Sequence, residues 1–228
     1  MRLFKGVNAI AVDGPAGSGK STVSRMVAES LGYMYIDTGA MYRALTLKVM
    51  MKNVDFKDEE AIIKFSRELD IRLLSPTGDS GAIRVLLDGE DVSSEIRKME
   101  VTGNVKYVAV ISGVRQNMVD LQRRMISEMD GAVMEGRDIG TVVLPDAKHK
   151  FYVDASFDER VERRLAELRV KGHPVTRPEV ADDLKQRDHA DKTRKVGPLK
   201  KADDAVLIDT TDLSVEEVVA KIIKYVKG

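Results

Sequence analysis

Apolar positions along this chain follow two alternating rhythms. Short runs rich in β-branched residues and bounded by Gly, Asp or Pro occupy 9–12, 33–36, 132–134, 151–153 and 206–208. Their brevity and unbroken apolar character predict strands covered on both faces. Between them the spacing lengthens to that of helices. Residues 18–31 follow the first strand and 41–51 the second, while Val114, Met118, Leu121, Met125 and Met129 mark one face of a helix over 114–129. Near the end, Ser214 and Glu217 stand at capping-box spacing, ahead of a stripe of Val215, Val218, Val219, Ile222, Ile223 and Val226. Alternation of this kind predicts an α/β fold: a parallel sheet with helices on both faces and ligands beyond the carboxyl ends of its strands.

Two stretches break the alternation. Apolar runs at Ile71–Leu74 and 83–87 flank a turn-rich 75–81, and Asp88-Gly89 signals another turn before Val92, which predicts antiparallel strands. Residues 55–100 are therefore expected to form a β-containing insertion. Residues 155–200 are highly charged, with Arg160, Arg163 and Arg164 on one helix face. The expected core is then 1–54, 101–154 and 201–228.

Composition narrows the chemistry. A chain of 228 residues with 43% hydrophobic content can bury a substantial core unaided. It has no cysteine, which removes disulfides, thiolate metal sites and thiol nucleophiles, and its three histidines are too dispersed for zinc. The 37 Lys+Arg balance the 37 Asp+Glu, so the surface is not of the uniformly basic kind that coats nucleic acid. The apolar run 9–12 is too short for a signal segment, and no uncharged run approaches membrane-spanning length. A soluble cytoplasmic protein is expected.

The strongest motif directly follows the first predicted strand. Gly14-Pro15-Ala16-Gly17-Ser18-Gly19-Lys20-Ser21 is a complete G-x-x-x-x-G-K-[ST] that opens onto a helix. Its glycines allow successive backbone N–H groups to face a polyphosphate, and the helix onset adds its positive end. Lys20 is expected to reach the β- and γ-phosphates, and Ser21 Oγ to ligate Mg²⁺. Nucleoside triphosphate binding follows. The guanine-reading Asn-Lys-x-Asp of a GTPase switch is absent, which leaves a small-molecule kinase in need of a second pocket.

Arginine marks that pocket. Asp37-Thr38-Gly39-Ala40-Met41-Tyr42-Arg43 follows the second strand, and Glu135-Gly136-Arg137-Asp138-Ile139-Gly140-Thr141 follows the third core strand. Arg187 and Arg194 come later in the chain. Placed on loops at the ligand edge, four arginines predict an anionic acceptor, because guanidinium forks match phosphate oxygens. A phosphate monoester, largely dianionic at neutral pH, attacks without a general base. Catalysis then reduces to charge neutralisation, alignment and exclusion of water, for which 155–200 is the candidate lid.

Segments 13–21, 37–43 and 135–143, together with Arg-Asp-x-x-Asp-x-x-Arg-x-x-x-Pro-Leu at 187–199, resemble bacterial-type cytidylate kinase. That resemblance implies transfer from Mg·ATP to CMP or dCMP by a fold with core, acceptor-binding and lid parts; a monomer with no nucleic-acid or membrane partner is expected. Carried over by residue, it implies that Arg43, Arg137 and Arg194 hold the acceptor phosphate, with Thr38 where the family often has Ser. It also implies that Arg115 and Asp138 read the cytosine and that Arg187 and Asp191 contact the sugar. Gly14 to Ser21 with Thr22 would bind ATP, joined by Arg160 and Arg164 from their shared helix face. Lys20, Asp37, Arg137 and Arg194 would carry catalysis, Asp37 by orienting Mg²⁺-bound water. Lys106 departs from family members with a base-contacting Ser. Two alternatives stay open: another P-loop kinase, for UMP, AMP or a metabolite such as shikimate, and an NTP-dependent regulatory or RNA-binding module.

Overall fold

The computed structural model describes residues 8–74 and 83–228; the turn expected over 75–81 lies outside them. Five parallel strands form the main sheet: β1 (Asn8–Asp13), β2 (Met34–Asp37), β6 (Gly131–Gly136), β7 (His149–Asp154) and β8 (Val206–Asp209). They are ordered β2-β6-β1-β7-β8. Both faces are covered, as the pattern predicted. Ile10, Val12, Val133, Phe151 and Val153 point toward α1 (Lys20–Leu31) and α8 (Val215–Lys227), where Val23, Val27, Val218 and Ile222 meet them. Ala9, Ala11, Ala132 and Met134 point the other way, toward α2 (Thr38–Met51) and α5 (Ser112–Ser127). Small residues on that face let Met41, Leu45 and Met118 sit close to the sheet.

Helix α2 starts three residues earlier than its apolar spacing predicts. Asp37 supplies the N-cap, its Oδ1 accepting from the Ala40 N–H at 2.9 Å. Arg43 is therefore on a helix rather than a loop. Arg187 likewise lies within α7 (Arg177–Thr193). The insertion contains β3 (Ile71–Leu74), β4 (Arg84–Leu87) and the short β5 (Glu90–Asp91) as an antiparallel sheet. It also contains two helical pieces that the turn signals did not predict, α3 (Glu59–Arg67) and a 3₁₀ turn at Glu95–Arg97, while α4 (Met99–Ala109) straddles its end. Asp58 caps α3 through the Ala61 N–H. Ile71, Leu73, Val85, Leu87 and Ile96 join the same hydrophobic cluster as Met41 and Met118, so the small sheet is fused to the main core.

Helices α6 (Phe157–Val170) and α7 pack on each other through a separate cluster of Val161, Leu165, Leu168, Val180 and Leu184, which Ala16 joins. Among the described residues, no helix is long and apolar enough to cross a membrane.

Phe151 is 2% exposed at the centre of the sheet. Phe151→Ala should cost about 3–5 kcal/mol and lower the melting temperature by roughly 6–20 °C. Val170→Ala, at a position 89% exposed, should change stability by less than about 0.5 kcal/mol. Thermal melts of the two variants beside the parent check the contrast.

Candidate active site

The carboxyl ends of the strands bring the sequence motifs together. After β1 the chain turns through Gly17 (φ 77°) and Gly19 (φ 82°), both in the left-handed region, and Gly19 caps α1. Gly14 is close-packed for another reason: a Cβ there would fall 2.0 Å from the Val153 carbonyl oxygen. The first turn of α1 carries no acidic residue and no side-chain cap, so its N–H groups and positive end stay open to an anion. Lys20 is buried beside this turn, and its Nζ donates to Pro15 O at 2.9 Å. Burial, with Arg137 nearby, pulls its ammonium down to about 8. Ser21 and Thr22 are exposed at the mouth of the loop.

Two braces hold the loop from below. Thr210 Oγ1 donates to Ser18 O at 3.2 Å and to Asp154 O at 3.0 Å. Arg163 reaches Thr210 through both terminal nitrogens and lies beside Gly19. Arg160 touches Gly17, donates to Ala16 O at 3.1 Å and pairs with Asp188 at 2.7 Å. Arg164 pairs with Glu167 of α6 at 2.7 Å, its Nε buried and its charge close to Arg187. Three arginines of one helix face thus have three separate surroundings, and Arg163 is an addition to the two singled out from sequence.

The second half of the site is a chain of alternating charges. Arg43 pairs with Asp37 at 2.8 Å. Arg137 Nε donates to Asp191 at 2.7 Å, and Arg194 lies 3.4 Å from the other Asp191 oxygen and 3.6 Å from Asp138. Arg115 and Asp138 form a buried pair. Arg187 pairs with Asp183 on its own helix at 3.0 Å, and Arg164 and Arg137 are close enough to lower its affinity for its proton, although burial has the larger effect. Thr38 Oγ1 donates to Glu135 O at 2.7 Å. Lys106 is exposed on α4, its ammonium 5.1 Å from the Tyr107 ring centroid.

Two residues that the motifs contain but sequence reasoning gave no task, Asp13 and Glu135, occupy the centre beside Asp37. Asp13, at the end of β1, accepts from Ile139 N and Gly140 N, both at 2.8 Å. Burial, opposed by those two bonds, pushes its carboxyl up to about 6. Glu135 is the register partner of Asp37 across β2 and β6. It accepts from Ser21 Oγ at 2.9 Å and from the Tyr35 hydroxyl. Burial and then the Asp37 charge raise its affinity for a proton. Asp37 itself is held low: burial opposes ionisation, but Arg43 and the Ala40 N–H outweigh it. A buried acid at the end of a strand next to β1 was the available signal.

The donor chemistry around Ser21 suits a hard cation. Its hydroxyl and the Glu135 and Asp37 carboxylates supply oxygen, while among the described residues no group of three acidic or histidine side chains could enclose a metal alone. Such a set fits Mg²⁺, which takes one or two protein oxygens and completes its shell with phosphate and water.

A family model described as cytidylate kinase matches residues 10–228. A cytidylate kinase of Caldanaerobacter subterraneus subsp. tengcongensis is 51% identical over 218 residues, 96% of this chain and 94% of that protein. Its counterpart in Desulforamulus reducens is 49% identical over 218 residues, 96% of each chain. That of Lactobacillus johnsonii is 45% identical over 226 residues, 98% of this chain and 96% of that one.

The Lys20 environment has a measurable signature in the ligand-free protein. Between pH 8 and the unfolded-state value of 10.5, the unfolded chain binds the proton that the folded chain has released, so stability rises with pH in that window. Relative to Lys20→Met, the parent protein should gain on the order of 1–3 kcal/mol from pH 8 to pH 10. Urea unfolding of both proteins across that range checks the sign.

Proposed function

The chain belongs to the cytidylate kinase family, and on that premise we propose that it transfers the γ-phosphoryl group of ATP to CMP or dCMP, giving ADP and CDP or dCDP. The observation that carries this reading is the adjacency of two anion sites: the loop from Gly14 to Ser21 with Lys20 at its base, and the Arg43, Arg137 and Arg194 set across from it. An oxygen of the acceptor phosphate attacks the γ-phosphorus as the bond to the β-bridging oxygen breaks, and ADP leaves with that oxygen. No side chain has to remove a proton from a dianionic acceptor.

Lys20 and the loop N–H groups hold the donor phosphates and balance the charge that develops between β and γ. Arg43, Arg137 and Arg194 grip the acceptor phosphate and hold it in line. In binding it, Arg43 and Arg137 exchange part of their pairing with Asp37 and Asp191 for phosphate oxygens. Arg187 and Asp191 take the sugar and Thr38 the phosphate side. Mg²⁺, when bound, would supply positive charge that neutralises the donor phosphates. Ser21 Oγ would hold it, with Glu135 fixing the orientation of that hydroxyl and Asp37 placed to orient water around the ion. Arg160 and Arg164, on 155–200, approach the ATP phosphates as that segment closes, while 55–100 carries the acceptor side.

Base choice follows from hydrogen-bond polarity. Cytosine offers an N4 amino donor to the Asp138 carboxylate and an unprotonated N3 to Arg115. Uracil presents an O4 acceptor and an N3–H, which leave both groups opposed in a pocket where each is almost fully buried.

A coupled assay of ADP release tests the activity with CMP, dCMP, UMP, AMP, GMP and no acceptor. CMP and dCMP should lead clearly, and Lys20→Ala should reduce turnover by on the order of 10²-fold or more while the fold persists. Equal ADP release with and without acceptor would instead identify an ATPase.

Asp138→Asn supplies an amide donor suited to O4. It should lower CMP activity and narrow the CMP/UMP ratio of kcat/KM by at least about tenfold, about 1.4 kcal/mol of differential binding in the transition state. Steady-state kinetics of the variant with both nucleotides give the answer, and a parallel decline of both substrates removes Asp138 from base reading.

A further inference from the structure

Arg115 is held in the ligand-free site more completely than its pairing with Asp138 requires. Its side chain is 3% exposed. Nη2 donates to Asp138, and Nη1 donates at 3.2 Å to Ala109 O, at the end of α4. These bonds fix two terminal nitrogens in the guanidinium plane but place nothing against its faces. The Tyr42 ring is the remaining neighbour: Arg115 Cζ lies over that ring, 5.5 Å from its centroid, within reach of the attraction between a cation and an aromatic face. Nε is buried without a hydrogen-bond partner.

Tyr42 comes from the second turn of α2, one residue before Arg43. Successive helix positions point about 100° apart, so one turn sends Arg43 to Asp37 and Tyr42 to Arg115. The ring is almost fully buried and also contacts the main hydrophobic cluster. It is thus anchored on one side and charged on the other. A guanidinium held only by its edge bonds can swing about the Asp138 contact, whereas one backed by a fixed ring keeps its plane and therefore the direction of its N–H groups.

We propose that Tyr42 is a positioning residue for base discrimination: its ring sets the plane of the Arg115 guanidinium that meets the pyrimidine edge. The inference rests on Arg115 reading the base. It assigns the work to the ring rather than to the hydroxyl, which burial keeps neutral by pushing it up to about 12. Nothing in the family motif demands this, since a tyrosine beside Arg43 is equally explained as core filling.

Kinetics on Tyr42→Leu, Tyr42→Met, Tyr42→Phe and Arg115→Ala distinguish these roles, with circular dichroism and the KM for ATP as controls. Tyr42→Leu and Tyr42→Met should raise the KM for CMP and reduce the CMP/UMP ratio of kcat/KM by roughly five- to tenfold. The KM for ATP should move by less than about twofold, because the donor site is untouched. Tyr42→Phe, which keeps the ring, should restore the parent ratio. Adding Tyr42→Leu to Arg115→Ala should reduce the ratio no further, as expected of residues acting through one contact.

If Arg115→Ala collapses the ratio while Tyr42→Leu leaves it intact, Tyr42 is a core residue only and the proposal is lost. It is equally lost if Phe is as damaging as Leu, or if neither Leu nor Met gives a folded protein. If Arg115→Ala itself leaves the ratio unchanged, base reading by Arg115 fails first and the role of Tyr42 falls with it, while the kinase activity stands.

Discussion

Both oxygens of Asp13 are spent on the backbone of another segment, and the geometry of the site depends on that bond pair. Strand β1 delivers the phosphate loop from its carboxyl end; the same strand's last side chain holds Ile139 N and Gly140 N. Arg137 and Asp138 immediately precede those residues. One carboxylate therefore sets the distance between Lys20 and the Arg137-Asp138 pair, which the proposed function assigns to donor and acceptor. Surrounding the clamp, parallel pairing of β1 with β6 over six residues holds the two segments in register. The raised pKa of Asp13 reflects the cost of burying this charge, which two backbone donors only partly offset.

Charge at the edge of the sheet is handled by alternation. Arg43 with Asp37, Arg137 with Asp191, and Arg115 and Arg194 with Asp138 give each described guanidinium of the acceptor set a carboxylate neighbour. Unpaired, these arginines would repel one another and spread apart. Paired, they stay close together with their forks already oriented, and under the proposed function an incoming phosphate would compete for them. Arg187 is the exception: its partner lies on its own helix.

What could be read from sequence divides along physical lines. The phosphate loop was fully legible because its chemistry is local: eight consecutive residues contain the glycines, the lysine and the hydroxyl. The strands were legible because burial on both faces leaves continuous apolar runs. Helices α3 and α4 were missed because their apolar positions are few and interleaved with charge, so turn signals nearby outweighed them. The start of α2 was missed because Asp37 looked like a loop acid, whereas its side chain caps the helix. The Tyr35–Glu135–Ser21 contacts join three elements and leave no local spacing to detect. The different surroundings of Arg160, Arg163 and Arg164 likewise depend on how α6 docks, which a shared helix face does not determine.

The small hydrophobic cluster between α6 and α7 includes one residue of the phosphate loop, Ala16. The antiparallel sheet is merged with the main core, but this helical pair has a core of its own and meets the loop through that methyl group, the Gly17 contact and the bond from Arg160 to Ala16 O. Mechanically, the pair bears on the loop at a few adjacent points rather than through the main core. Under the proposed function, a displacement of the helices would therefore be felt by the backbone that holds the phosphates, and tightening of that backbone around an anion would be felt by the helices.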